Sequence, residues 1–159
     1  MDALLECHDR IRQMIALARA IAGAHARPDT EVSEAAGRVR RYFTDSLARH
    51  VEDEEESLLP RLRGRDIMVD AALERMAGEH ELHGALLARL VAACADLERR
   101  PAELPQLRAE LDEVSVRLGD EFAAHLDSEE QIVFPAVRSL LDDDERAQIR
   151  AEMHARRRG

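Results

Sequence analysis

Hydrophobic side chains recur at steps of three and four residues through nearly the whole chain of 159 residues. This spacing places them along one face of an α-helix, because such a helix has about 3.6 residues per turn. A half-buried strand would instead alternate apolar and polar residues at every second position. The pattern therefore indicates long amphipathic helices, which must pack their apolar faces against one another.

The first two helices are separated by a clear break. The first is predicted to run from near the start of the chain to about Ala26, and Pro28 follows it. The second is a long helix for which Asp29 or Thr30 is a suitable N-terminal cap. Pro60 is expected to mark its end or a kink, because proline lacks the backbone N–H that a helix interior requires.

Two more long helices and a short one complete the prediction. Asp66 is expected to cap the third helix, and the fourth begins near Pro105. A terminal helix, capped within 142–144, ends in arginines that are expected to be solvated. The sequence thus predicts an all-α fold: a single domain over residues 1–159, built as an up-down-up-down four-helix bundle with a short C-terminal helix.

The most informative motif is an internal repeat of the form H-x-x-x-E-E-x-x-x-x-P. Its first copy runs from His50 to Pro60 and its second from His125 to Pro135, and the two align without a gap. One helix before each copy, a further histidine lies on the apolar stripe. These two are His8 and His80. The chain therefore consists of two helical hairpins of similar design.

The spacing within each copy has a direct physical meaning. Residues four apart share a helix face, so His50 points the same way as Glu54, and His125 the same way as Glu129. Both pairs lie in apolar stripes that contain no lysine or arginine. A buried carboxylate must be paired or must bind a metal. Two carboxylates and four imidazoles in one bundle core are the ligands of a dinuclear metal site.

The motifs resemble those of the hemerythrin-like proteins with the His-His-Glu cation-binding domain, from the first helix to Pro135. The matching residues are His8, His50, Glu54, His80, His125 and Glu129. The resemblance implies two iron ions, one bound by His8 and His50. The other would be bound by His80 and His125, with Glu54 and Glu129 bridging the pair together with an oxo, hydroxo or water ligand. Imidazole and carboxylate also suit zinc and manganese, which recombinant protein could contain instead.

Two positions depart from the pattern of the oxygen-carrying hemerythrins. On the third helix those proteins have a second histidine four residues after the first, where this chain has Gly84. On the last long helix they have an aspartate where this chain has Glu129. Fewer histidine ligands would leave open positions on iron, which favours reactivity over reversible carriage. His83 is on the same face as His80 and could be a fifth histidine ligand, a hydrogen-bonding neighbour of a ligand, or part of a pocket wall.

Several neighbours of the site are predicted to have simpler roles. Glu55 and Glu130, which follow the two bridging glutamates, are predicted to lie on a solvated face rather than to bond the histidines. Tyr42 is predicted to pack in the core, with a redox-active or hydrogen-bonding role near the metals as the alternative. The two cysteines, Cys7 and Cys94, do not form a disulfide framework.

Charge and hydropathy limit the partners of the protein. A formal net charge of −10 disfavours nucleic acid, which is bound through Lys and Arg. No stretch is apolar enough to span a bilayer, and charges near the N-terminus disfavour a signal peptide. We therefore expect a cytoplasmic protein without a membrane partner, whose partners are small molecules. Neither the oligomeric state nor an electron donor follows from the sequence.

Three classes of function agree with these features. The first is a non-haem di-iron protein that binds or reacts with oxygen, peroxide or nitric oxide, and whether it turns over as an enzyme is left open. The second is a carrier or sensor of iron or oxygen without turnover. An iron donor for iron–sulfur repair ranks lower, because such relatives carry an extra N-terminal cysteine-containing segment. The third is a metal-free bundle that acts as an interaction protein.

Overall fold

The computed structural model describes residues 2–25 and 27–158. Within these ranges all regular structure is helical and no strand occurs, which confirms the predicted all-α class. Helix α1 (Asp2–Ala22) ends earlier than predicted, since Gly23 already forms a turn. The predicted end at Ala26 lies outside the described residues. None of the helices in the described ranges is long and apolar enough to cross a membrane.

The second long helical segment is continuous and contains two stretches of wider π-helical turns. Its pieces are α2 (Asp29–Arg41), π1 (Tyr42–Ser46), α3 (Leu47–Glu52), π2 (Asp53–Leu58) and α4 (Leu59–Leu62). The cap position is taken by Pro28, where no side chain accepts a hydrogen bond, so the predicted cap at Asp29 or Thr30 is wrong. Pro60 lies at the start of the short helix α4, and the segment ends at Leu62.

The second half of the chain follows the same plan. After α5 (Ile67–Arg99) and a 3₁₀ turn come α6 (Leu104–Ser128), π3 (Glu129–Val133), α7 (Phe134–Leu140) and α8 (Asp143–Arg156). The carboxylate of Asp66 accepts hydrogen bonds from the backbone N–H groups of Met68 and Val69, which confirms the predicted cap of α5. Asp142 caps α8 and forms a reciprocal capping box with Glu145.

The long helices form a closed ring of contacts around one interior. Helix α1 packs against α2 and α6, and α5 packs against the same two helices, while α8 lies against π2. The interior contains two apolar clusters. One includes Leu4, Leu58, Leu73 and Phe134. The other includes Ile11, Leu47, Leu90 and Phe122. Along every long segment the predicted histidines and glutamates fall between these clusters, so the bundle core contains a polar layer enclosed by apolar packing.

Candidate metal centre

The six histidine and glutamate side chains singled out by the repeat meet in this polar layer. Each long segment contributes to it: α1 carries His8, α3 and π2 carry His50 and Glu54, α5 carries His80, and α6 and π3 carry His125 and Glu129. All are buried except His80, which is half-buried. Four separate segments thus deliver six potential ligands to one place in the core.

The carboxylate of Glu129 lies between imidazoles from opposite ends of the chain. Its Oε2 is 3.0 Å from Nε2 of His8, and its Oε1 is 3.1 Å from Nε2 of His125. Each oxygen therefore faces a different histidine. A carboxylate in this position has the geometry required to bridge two cations.

Glu54 has the corresponding position on the other side of the centre. Its Oε1 is 3.1 Å from Nε2 of His50, and its Oε2 is 3.6 Å from Nε2 of His80. The potential ligand atoms fall into two groups, each with all atoms within 4.8 Å of one another. The first group is His8, His50, Glu54 and Glu129. The second is His80, His125 and Glu129.

Most of these ligand atoms have no hydrogen-bond partner. Among the described residues, nine buried side-chain nitrogen and oxygen atoms lack one, and eight of them belong to five of the six residues. The ninth is an oxygen of Asp53. An unsatisfied buried polar atom costs about 1–3 kcal/mol, so such a cluster is unfavourable unless something else binds it. Bound metal fits this donor set, because imidazole nitrogen and carboxylate oxygen are both metal ligands.

The outer nitrogens of three histidines are bonded to carboxylates. Nδ1 donates to a glutamate oxygen at 2.7–3.0 Å in each case. The pairs are His8 with Glu130, His80 with Glu55, and His125 with Glu79. Such a bond fixes the tautomer and the ring orientation, which leaves Nε2 as the free acceptor that points at the centre.

These bonds explain the second glutamate of each repeat. In each E-E pair the first residue enters the centre, and the second binds the lone histidine of the other hairpin: Glu55 binds His80, and Glu130 binds His8. The prediction that Glu55 and Glu130 do not bond the histidines is therefore wrong, whereas the Glu55 side chain is exposed as predicted. Glu79 was missed, since it precedes His80 in sequence but bonds to His125 on another helix. No pattern in the sequence indicates that contact.

Glutamine at position 79 should weaken metal binding without unfolding the bundle. Glu79→Gln removes the charge that aligns His125, and loss of such a carboxylate typically lowers metal affinity about 10- to 100-fold. Titration of the metal-free protein with Fe(II) under anaerobic conditions measures this affinity. Glu121→Gln is the matched control, because Glu121 lies on the same bundle surface but near His83, which is outside both groups of ligand atoms. Equal affinities in the two variants would contradict the positioning role of Glu79.

His50 differs from the other three histidines. Neither of its ring nitrogens has a hydrogen-bond partner in the described part of the chain, and burial lowers its pKa to about 3. The ring is held by packing, with its edge against the ring of His8 at a centroid distance of 5.1 Å. His50 is therefore a neutral imidazole at physiological pH, which is the protonation state that a metal requires.

The two central carboxylates have opposite pKa shifts. Burial, followed by the nearby charge of Glu129, raises the pKa of Glu54 well above its ordinary value. Burial alone would also raise the pKa of Glu129, but the adjacent imidazoles of His125 and His8 outweigh it and hold that pKa below its ordinary value. Without a cation, Glu54 therefore retains its proton more strongly than Glu129 does. Two neighbouring buried carboxylates cannot both ionise without a positive charge.

Both central glutamates lie in π-helical turns, which the sequence did not indicate. Glu54 belongs to π2, and Glu129 opens π3. A π turn inserts an extra residue and shifts the inward face, a feature frequent at functional sites. In a regular helix Ile132, three residues after Glu129, would share the inward face, and the sequence pattern predicts it to be buried. In the π turn it is only half-buried and Val133 is buried instead, so this prediction is wrong.

The π2 turn also buries Asp53 beside Glu54. Asp53 is fully buried, and its Oδ1 accepts a hydrogen bond from Nε of Arg156 at 2.9 Å. Its Oδ2 is 2.7 Å from Nη2 of Arg157. The predicted solvated end of the last helix is thus wrong for Arg156, which is mostly buried against the segment that carries Glu54.

His83 lies next to the centre but outside both groups of ligand atoms. Its ring stacks on Phe122 at a centroid distance of 4.6 Å and meets the ring of His125 edge-on at 5.2 Å. Burial lowers its pKa to about 4. The hydroxyl of Tyr42 donates to the backbone carbonyl of Cys7 at 3.0 Å, and in the described residues none of its hydrogen bonds reaches a ligand side chain. A metal-binding role for His83 remains a prediction.

A small, partly open cavity of about 80 Å³ adjoins the centre. Apolar side chains form one part of its wall and histidines the other. Its lining residues are Leu47, His50, Val51, His80, His83, Leu87, Phe122 and His125. A water molecule has a share of about 30 Å³ in the liquid, so this space admits a small molecule and excludes a large one.

A helical bundle that encloses two carboxylates between four imidazoles defines a class of metal-binding protein. The family model described as the hemerythrin HHE cation binding domain matches residues 1–137. The chain therefore belongs to this family, which confirms the resemblance noted from its motifs. Searches of the curated proteins and of the solved structures found no match.

Proposed function

We propose that this protein holds two iron ions in its core and uses them to bind or reduce small oxidants: oxygen, peroxide or nitric oxide. The observation that carries the proposal is the cluster of buried ligand atoms without hydrogen-bond partners. Membership of a cation-binding family supports it. Buried charge of this kind is expected only where a function requires it, because an apolar core would be more stable.

The six residues of the polar layer would hold the metals. His8 and His50 would bind one ion, and His80 and His125 the other. Glu54 and Glu129 would bridge them, because each presents its two oxygens to different histidines. Bound iron would supply one-electron chemistry, and His83 is assigned to the pocket wall and not to the ligands.

The cavity beside the centre supports a small partner. Its volume of about 80 Å³ suits a molecule of two or three heavy atoms, and its walls are largely apolar. An apolar pocket restricts water near the metals, which would favour uncharged oxidants over ions. No larger organic substrate fits this space.

The proposal includes the whole chain as one up-down-up-down bundle in the cytoplasm. Successive long segments contact each other and are joined by short connections, as antiparallel neighbours would be. Helix α8, which follows the part matched by the family model, packs on π2, and this contact supports its inclusion in the same unit.

Metal content and reactivity test this function. Protein loaded anaerobically with Fe(II) should bind about two ions per chain, and its near-ultraviolet and visible spectrum should change on mixing with oxygen, peroxide or nitric oxide. Peroxide turnover above that of free iron would indicate an enzyme, whereas a single stoichiometric and reversible change would indicate a carrier or sensor. Absence of bound iron, or of a response to all three molecules, would refute the proposal.

A further inference from the structure

A surface pocket of about 290 Å³ lies between the first helix and the second long segment. Three of the described residues that line it are arginines, each from a different part of the chain. Arg10 belongs to α1, Arg49 belongs to α3, and Arg157 directly follows α8. Among the described lining residues, Glu6 has the only carboxylate. Three positive charges therefore face one negative charge, in a protein whose formal net charge is −10.

Two of these arginines are not neutralised by the protein. Among the side chains that the structure describes, neither Arg10 nor Arg49 forms an ion pair or a side-chain hydrogen bond. A pocket of about 510 Å³ between α5 and α6 provides the contrast, because its arginines Arg89 and Arg117 both lie within ion-pair distance of glutamates. The guanidinium groups of Arg10 and Arg49 are therefore available to an external anion.

The third arginine is held in place. Nη2 of Arg157 is 2.7 Å from Oδ2 of the buried Asp53, and its Nη1 donates to the backbone carbonyl of Met153 at 2.8 Å. A guanidinium carries five N–H donors, so these contacts leave others free. Because the protein already orders this side chain, less conformational freedom is lost when Arg157 binds a ligand.

The inner part of the pocket is polar and uncharged. Ser46 is half-buried, and its hydroxyl has no hydrogen-bond partner among the described residues. Burial raises the pKa of the Cys7 thiol, against the hydrogen bond with Tyr42 and the charges of Arg157 and Arg10, so the thiol stays neutral. The influence of both arginines on one thiol indicates that charges from α1 and from the end of α8 converge on the same space.

We propose that this pocket binds a phosphate group, as inorganic phosphate or as part of a small phosphomonoester. Guanidinium groups present paired N–H donors that match the oxygens of phosphate, and three of them suit a dianion. Small-molecule pockets begin at about 300 Å³, so this volume admits a phosphate with a small organic group attached. None of the six candidate metal ligands lines the pocket, and the inference does not depend on the function proposed above.

Isothermal titration calorimetry on the 159-residue chain tests the site, with inorganic phosphate and glycerol 3-phosphate as probes and glycerol as the uncharged comparison. We expect one saturable site for a phosphate probe, weakened by added NaCl, and no binding of glycerol. Arg10→Gln and Arg49→Gln should each raise the dissociation constant about tenfold, because each removes a charge-assisted hydrogen bond. Both variants should melt like the wild type, since neither side chain has a described partner in the protein.

The matched control is Arg150→Gln, which removes the same charge from an exposed position of α8 outside the pocket. Its dissociation constant should stay within about twofold of the wild type, because exposed distant charges are screened. Tighter binding of glycerol 3-phosphate would assign the pocket to a phosphomonoester, and tighter binding of inorganic phosphate would assign it to the free ion.

Three results would overturn the site. The first is the absence of saturable binding of either probe to the wild type. The second is a dissociation constant that neither Arg10→Gln nor Arg49→Gln changes. The third is binding to the iron-loaded protein but not to the metal-free protein, which would place the phosphate at the metals. Equal binding to both forms supports the pocket, whether or not the metal centre reacts with oxidants.

Discussion

Replacing Glu54 by glutamine is expected to raise the melting temperature of the metal-free protein by roughly 5 °C at neutral pH. Glu54 is fully buried and its pKa is raised, first by burial and then by Glu129. As pH rises above the ordinary value of 4.5, the unfolded chain ionises this carboxyl while the folded chain retains the proton. Wild-type stability therefore falls relative to that of the variant, and the difference should vanish below about pH 4.5.

The same substitution should remove most of the stabilisation by iron. Excess Fe(II) at about 1,000 times its dissociation constant would stabilise the wild type by about 4 kcal/mol, or roughly 10 °C in melting temperature. A neutral carboxamide cannot replace a bridging carboxylate, so Glu54→Gln should lose more than half of this shift. Anaerobic melting curves with and without Fe(II) measure both effects.

A control and two contrary results make this prediction specific. Glu52→Gln makes the same chemical change at an exposed position just before π2, and should alter neither melting temperature. A lower metal-free melting temperature in Glu54→Gln would show that the buried carboxyl is stabilising by itself. An undiminished shift with Fe(II) would show that Glu54 does not bind the metal.

Replacing Arg156 by alanine is expected to destabilise the protein by about 3 kcal/mol, close to the lower end of the range for breaking a buried ion pair. Asp53 is fully buried, and Arg156 is its hydrogen-bond donor. Arg157 would remain near Asp53, which limits the loss. Thermal or urea unfolding of the metal-free protein measures the change in free energy of unfolding.

Two further variants isolate the buried pair. Arg150→Ala removes the same charge from an exposed site on α8 and should change stability by less than about 0.5 kcal/mol. Asp53→Asn in the Arg156→Ala background should restore part of the loss, because it removes the uncompensated charge. An Arg156→Ala variant as stable as Arg150→Ala would show that α8 does not depend on this contact.

Helix order and the six candidate ligands were predictable because both depend on local spacing. The caps at Asp66 and Asp142 are formed with residues two or three positions away, so their effect is visible in the sequence. The pairing of His50 with Glu54 needs only four residues of helix. The shift of the inward face from Ile132 to Val133 was not predictable. The residues of π3 would also fit a regular helix, and only packing against the other helices selects the wider turn.

Which carboxylate supports which histidine was decided by the tertiary structure. His8 and Glu130 are separated by 122 residues, and Arg156 and Asp53 by 103. The position of His83 against Phe122, outside the ligand groups, likewise depends on how α5 and α6 meet. By itself the sequence determined the helices, their inward faces and the donor atoms available to a metal, because periodicity and i,i+4 geometry act within one helix. The folded bundle decided the hydrogen bonds to those donors and the spaces around them, because both arise only when distant helices pack.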